Sequence, residues 1–175
     1  SVRAESPGRG QGAVFTVTLP LMVTRTATEA PQRHATDGAA GDAALPRLDG
    51  VTVLVVDDEP DASEVVAELL TAHGAEVRQA HSADAARTLL ASWRPALIVS
   101  DVGMPGEDGY AFITRWRAEA GDAARIPAVA LTAYAGRTDK IRLLSAGFDA
   151  HVPKPLDPAE LLTVLASLTR ASRAI

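Results

Sequence analysis

From Val51 to Leu168 two kinds of apolar pattern alternate along the chain, and this alternation restricts the fold more than any other feature. Runs rich in β-branched residues at Val51–Val56, Ala75–Gln79, Ala96–Ser100, Pro127–Leu131 and Asp149–Val152 have the length and composition of strands. Each is followed by apolar residues at helical spacing: Val65, Val66, Leu69 and Leu70; Ala85, Ala86, Leu89 and Leu90; Tyr110, Phe112, Ile113 and Trp116; Ile141 and Leu144; Leu161, Leu162, Leu165 and Leu168. Asp61 with Glu64, and Asp157 with Glu160, have the form of capping boxes, and Gly74 and Gly147 stand where helix C-caps belong. Parallel strands joined by helices need right-handed crossovers, which place helices on both faces of one sheet. The prediction is an α/β fold, a doubly wound five-stranded parallel sheet with five helices.

In such sheets the functional crevice lies at the carboxyl ends of the strands. The first run leads into Asp57-Asp58-Glu59-Pro60, the third into Ser100-Asp101, the fourth into Thr132-Ala133 and the fifth into Pro153-Lys154-Pro155. Three carboxylates, a hydroxyl and an ammonium therefore meet on one rim. The ammonium is conspicuous because the 17 cations comprise 15 Arg and only two Lys, Lys140 and Lys154. Two like charges about 4 Å apart repel by about 4 kcal/mol at an effective dielectric near 20, so clustered carboxylates call for a cation. Hard oxygen ligands without His or Cys select Mg²⁺, with Mn²⁺ as the alternative. A carboxylate beside such a metal can attack a phosphoryl group and form an aspartyl phosphate, with Thr132 and Lys154 contacting the phosphoryl oxygens.

These residues resemble the receiver domain of two-component response regulators. The resemblance runs from about Val51 to Ser172 and rests on the Asp57-Asp58 pair, Asp101 followed by Met104-Pro105-Gly106 and Asp108-Gly109, Thr132-Ala133, and Lys154-Pro155. It implies a flavodoxin-like sheet of strand order 2-1-3-4-5. It further implies Asp101 as phosphoacceptor, Asp57, Asp58, Asp101 and the Gly103 carbonyl as Mg²⁺ ligands, Thr132 as switch hydroxyl and Lys154 as the phosphate-contacting cation. The Lys154-Pro155 bond is expected to be cis. One departure concerns the switch aromatic three residues before the lysine, which is His151 here in place of Tyr or Phe. Either the imidazole merely fills that half-buried slot, or it rotates inward and makes the switch pH-sensitive near neutrality. Tyr134, two residues past Thr132, is expected to line the same rim and to limit water access or shield the pocket. His34, His73 and His81 have no ligand spacing and are read as ordinary surface or linker residues.

Ahead of this domain, Ser1–Ser6 and Val14–Leu19 read as two short strands around a turn carrying Pro7, Gly8, Gly10 and Gly12. A lone hairpin is marginal in water. The segment 1–21 resembles the last hairpin of the ATP-binding domain of sensor histidine kinases. Residues 22–49 are rich in Thr, Ala, Gly and Asp and read as a flexible linker, whose ends as a coil of about 27 residues lie roughly 30 Å apart. The order kinase tail, linker, receiver at 50–173 resembles the C-terminus of a hybrid histidine kinase, and Ser1, with no initiator Met, is expected to lie inside a longer chain. The nucleotide-binding motifs of a kinase are missing, so no kinase activity is expected of these residues alone. No effector domain is expected after Ile175, so output is expected to pass to a partner or back to the parent kinase.

Several other function classes are disfavoured. No cysteine leaves no disulfide framework, Cys-ligated metal or thiol chemistry, and fits a reducing compartment. A net charge of -5 argues against direct DNA binding. The acidic excess is uneven: residues 1–48 carry 5 Arg and 4 acids, residues 49–175 carry 12 cations and 18 acids. No apolar stretch approaches the roughly 18 residues of a membrane span, so these residues are expected to be cytoplasmic, even where the parent kinase is membrane-anchored. A phosphohydrolase working through an aspartyl phosphate would typically want a second Asp two residues after the nucleophile, and position 103 is Gly. A dinucleotide fold would want a glycine-rich turn where Asp57-Asp58-Glu59-Pro60 stands. The leading expectation is Mg²⁺-dependent phosphoryl transfer to Asp101 from a phosphohistidine, on the parent kinase or a His-containing phosphotransfer protein. The alternative is a receiver-like interaction module that is never phosphorylated.

Overall fold

A computed structural model of the chain describes residues 2–5, 14–17, 45–133 and 137–172. The chain divides into two compact units, Ser1–Gly41 and Asp42–Ile175. In the first, β1 (Val2–Glu5) pairs antiparallel with β2 (Val14–Val17), Val2 opposite Val17 and Glu5 opposite Val14. The predicted turn around Pro7 and Gly8 and the predicted linker up to residue 44 lie outside the described residues.

The second unit runs β3 (Thr52–Val56), α1 (Pro60–Ala72), β4 (Glu76–Ala80), α2 (Ala83–Ser92), β5 (Leu97–Asp101), α3 (Gly109–Glu119), β6 (Ala128–Thr132), α4 (Arg137–Ala146), β7 (Ala150–Pro153) and α5 (Pro158–Ser172). A 3-10 turn over Gly121–Arg125 joins α3 to β6. All five strands are parallel in the order β4-β3-β5-β6-β7, which is the 2-1-3-4-5 order expected of a flavodoxin-like sheet.

Every strand of this five-stranded sheet begins one residue later than the apolar runs suggest. The backbone supplies the reason at two of them: the Val51 N–H closes a turn on Leu48 O and the Ala75 N–H closes the end of α1 on Leu70 O, so neither is available to a ladder. Leu48 itself is buried, and its N–H donates to His73 O.

Alternation along β3 divides the core in two. Val53 and Val55 face one layer with Val66 and Leu70 of α1 and Leu161, Leu162 and Leu165 of α5. Leu54 and Val56 face the other with Ala86 and Leu90 of α2, Phe112 and Ile113 of α3, and Leu143 of α4. Each of the large aliphatic side chains removed from water contributes about 1.5–3 kcal/mol against the entropy of ordering the chain. Side chains of one strand thus serve two layers, which forces helices onto both faces.

Helix ends follow local chemistry. Asp157 caps α5, its Oδ1 accepting from Ala159 N at 2.8 Å and Glu160 N at 3.2 Å. The capping box expected of Asp61 does not form, because α1 begins at Pro60 with Glu59 as the residue before it and no side-chain cap. Proline at that position lacks an N–H that the helix could not have satisfied, so an earlier start costs little. Gly74 and Gly147 have φ of 95° and 104°, the left-handed conformation that ends α1 and α4.

At the amino-terminal end of the sheet a single arginine ties four segments together. Arg117 of α3 donates to the carbonyls of Gly147 at 3.0 Å, Ile126 at 2.6 Å and Ala124, and its Nη2 lies 2.9 Å from Asp149 Oδ2. The same Asp149 oxygen accepts the Ala128 N–H at 2.8 Å, satisfying the first donor of β6. Among the described residues no helix is long and apolar enough to cross a membrane.

Candidate functional site

Strand register explains why residues far apart in sequence meet. Val56 lies opposite both Ala80 and Ser100, Asp101 opposite Leu131, and Thr132 opposite Pro153, so β3, β5, β6 and β7 finish at one level. Asp57 follows β3 directly and is 2% exposed; Asp101 ends β5 and is 7% exposed. Thr132 ends β6 and is also buried. Lys154 leaves β7 with its N–H donating to Thr132 O at 2.7 Å, and the Lys154-Pro155 bond is cis, as expected.

Electrostatics at this rim centre on Lys154. Its Nζ lies 2.7 Å from Asp101 Oδ1 and 3.2 Å from Asp57 Oδ2. Burial works to lower the Lys154 pKa, but the hydrogen bond and charge of Asp101, with the added charge of Asp57, outweigh it and move the value up. The remaining oxygens are also engaged: Asp57 Oδ1 accepts the Glu59 N–H at 3.0 Å, and Asp101 Oδ2 accepts the Gly103 N–H at 2.8 Å.

Asp57, Asp58 and Asp101 each offer one carboxylate oxygen, all within 4.8 Å of one another. Asp58 is half-buried, and among the described residues it has no ion pair or hydrogen-bonded side-chain partner. Three carboxylates against one ammonium leave two formal negative charges, the charge of one divalent cation. Oxygen-only ligands beside open water suit Mg²⁺, which keeps part of its hydration shell. The residues therefore fit the metal that the rim chemistry calls for.

The loop from Asp101 to α3 is fixed at several points. Met104 is buried, and Glu107 is bound by Arg87 of α2 at 2.7 Å with Arg115 at 3.7 Å. That hydrogen bond to Glu107 leads the causes that raise the Arg87 pKa, ahead of an opposing desolvation. Asp108 caps α3 by accepting the Ala111 N–H at 2.8 Å. Gly109 passes so close to the strand end that a Cβ there would lie 2.3 Å from Asp101 O and 2.9 Å from Val102 Cα.

Of the residues singled out by sequence, Asp57, Asp58, Asp101, Gly103, Thr132 and Lys154 all line one open cavity of about 630 Å³. His151 sits in β7 opposite Ala130 and is half-buried. Tyr134 lies outside the described residues. Glu59, which the sequence places on the rim without a role, lines it too, and sequence reasoning missed three further lining residues with polar or charged side chains: Tyr110, Asp139 and Arg142. The Arg142 guanidinium lies 3.9 Å above the centre of the Tyr110 ring and 4.0 Å from Asp108 Oδ2. Tyr110 reads in sequence as a core position of α3, and α4 carries no motif, so only the packing of α3 beside α4 reveals this pair.

The comparisons with known proteins agree with this geometry. The model of the response regulator receiver domain matches residues 53–166. An uncharacterised 14.6 kDa protein from the sodA1 3′ region of Leptolyngbya boryana is 42% identical over 113 residues, covering 65% of this chain and 86% of that protein. Response regulator Rre1 of Synechocystis is 37% identical over 125 residues, 71% of this chain and 54% of that protein, so the chain spans about half the length of that relative. The crystal structure of the signal receiver domain of a signal transduction histidine kinase from Syntrophus aciditrophicus aligns with a TM-score of 0.64 at 30% identity, covering 70% of this chain and 92% of that one. With the family model matched over most of the chain, the order of the sheet as expected and the acidic rim assembled, the chain belongs to the response regulator receiver domain family.

Proposed function

We propose that this receiver accepts a phosphoryl group on Asp101 from a phosphohistidine. The observation that carries the reading is the placement of the Asp101 carboxylate at the cavity, with Lys154 at 2.7 Å and the Asp57 and Asp58 oxygens within reach of a shared cation. In the reaction an Asp101 carboxylate oxygen bonds to phosphorus as the phosphorus–nitrogen bond of the donor breaks, and the imidazole leaves with the electron pair. Asp57, Asp58, Asp101 and the Gly103 carbonyl would hold Mg²⁺, which when bound neutralises charge on the transferring phosphoryl oxygens. Lys154 contacts a phosphoryl oxygen through its ammonium, and the Thr132 hydroxyl contacts another and acts as the switch. His151 occupies the switch-aromatic position, and Tyr134 tunes water access to the product.

The wider context belongs to the same proposal. Residues 1–21 are the end of a histidine kinase ATP-binding domain, 22–49 its linker and 50–173 the receiver, so the donor is the parent kinase or a His-containing phosphotransfer protein in the cytoplasm. A receiver domain of a histidine kinase among the similar structures supports this. The test is incubation of the chain with acetyl phosphate, or with beryllofluoride, in Mg²⁺. An adduct on the wild type that is lost in Asp101→Asn is expected. A wild type without adduct sinks the proposal and leaves the fold as an interaction module.

A further inference from the structure

The cavity is unbalanced in charge. Six of its lining residues are Asp or Glu, and two are cations, Lys154 and Arg142. Lys154 is occupied by Asp101 and Asp57. Arg142, on α4, is of a different kind: its side chain is 63% exposed, and the nearest carboxylate described, Asp108, lies at 4.0 Å, the limit of an ion pair. Its guanidinium carbon lies over the Tyr110 ring, 3.9 Å from the ring centre. A cation–π contact is not a hydrogen bond to an acceptor, so a guanidinium with five N–H donors keeps the capacity to bind an anion as well. The ring is itself fixed, since Tyr110 packs against the core layer of α2, α3 and α4. A restrained cation thus stands at the side of a cavity lined mainly by carboxylates.

From this arrangement we infer that Arg142 is a positioning residue for the phosphoryl donor, meeting the donor's oxygens at the cavity mouth and aligning phosphorus with Asp101. The inference rests on the reading in which Asp101 accepts a phosphoryl group. The transfer itself is unchanged: the bond from Asp101 oxygen to phosphorus forms, and the bond to the leaving atom breaks, releasing acetate from acetyl phosphate or ammonia from phosphoramidate. What Arg142 contributes depends on the charge of the incoming molecule. Acetyl phosphate arrives as a dianion near neutrality and phosphoramidate as a monoanion, so the dianion has more repulsion from the acidic walls to overcome.

The experiment measures the second-order rate of phosphorylation of the full chain in Mg²⁺ with each donor, by intact mass. Arg142→Ala is expected to slow acetyl phosphate by about fivefold and phosphoramidate by less than about twofold. Arg142→Lys is expected to restore more than half of the loss, and Arg142→Gln, which keeps the stem over the ring, to behave as Arg142→Ala. Because the side chain is largely exposed, the thermal midpoint should stay within about 2 °C of the wild type. A variant as fast as wild type with acetyl phosphate, or slowed equally with both donors, overturns the inference while leaving phosphorylation of Asp101 standing. A wild type that takes up no phosphoryl group from either donor overturns the underlying reading, and this inference with it.

Discussion

The Lys154 ammonium lies 2.7 Å from Asp101 Oδ1, and this pair joins the end of β7 to the end of β5 across β6. Replacing Lys154 by Met leaves two buried carboxylates, those of Asp57 and Asp101, without their cation. The loss should be about 1–3 kcal/mol in metal-free urea denaturation, less than for a fully buried pair because the Lys154 side chain is 31% exposed. Added Mg²⁺ should stabilise Lys154→Met by more than it stabilises the wild type, since the cluster has become more negative.

The same pair fixes a pH dependence. Folding raises the Lys154 pKa above its ordinary 10.5, so the folded state holds that proton more tightly than the unfolded chain does. The stability gained is full below pH 10.5 and fades as pH climbs through the raised folded value. The stability difference between wild type and Lys154→Met is therefore expected to be constant across the neutral range and to shrink in alkali. Urea midpoints at stepped pH check this, and a difference that shrinks on acidification only as far as neutrality contradicts it.

Asp58 has no cation of its own among the described residues, which makes it the carboxylate that gains most from a bound metal. Because it relieves repulsion with Asp57 and Asp101, Asp58→Asn should raise metal-free stability, by about 1 kcal/mol or more. Its Mg²⁺ titration midpoint, read by thermal shift, should rise by about tenfold or more.

Gly109→Ala drives a methyl group into backbone that cannot yield, 2.3 Å from Asp101 O. A cost of about 2–4 kcal/mol is expected, with Asp101 displaced and its phosphorylation slowed. Paired denaturation and adduct-formation measurements would separate this from Gly106→Ala. At Gly106 an added Cβ meets nothing within 4 Å, although its φ of 77° leaves a conformational strain of about 1–2 kcal/mol.

Asp149→Ala removes the acceptor for Ala128 N–H and the carboxylate that faces Arg117, at the end of the sheet away from the acidic rim. About 1–3 kcal/mol should be lost. The rate of phosphorylation by acetyl phosphate, measured well below the unfolding midpoint, should match the wild type.

How much of this was readable in the sequence follows from which interactions are periodic. The strands, the two apolar layers and the residues terminating β3, β5, β6 and β7 follow from patterns of period two and 3.6, and a parallel sheet places those termini together without further information. The Asp61 cap was misread because capping signatures do not fix where a helix with Pro60 at its first position begins. The Arg117 clasp and the Arg142–Tyr110 stack escaped for another reason. Each reaches residues 30 or more away through one long side chain, Arg117 holding Ala124 and Ile126 as well, and neither obeys any periodicity. Such contacts depend on the packing of α3 beside α4, which exists only once the sheet has formed.

The common level at which the strands finish has a consequence for how this domain tolerates change in length. Asp57, Asp101, Thr132 and Lys154 are placed by pairing of Val56 with Ser100, Asp101 with Leu131, and Thr132 with Pro153. None is placed by the number of residues separating it from the next. The turns from helix back to strand, at residues 73–75, 93–96 and 147–149, lie at the opposite end of the sheet. Residues inserted into those turns would lengthen the path between the acidic groups along the chain while leaving their separation in space untouched. Residues inserted between Asp101 and Gly109, on the rim itself, would not be so absorbed.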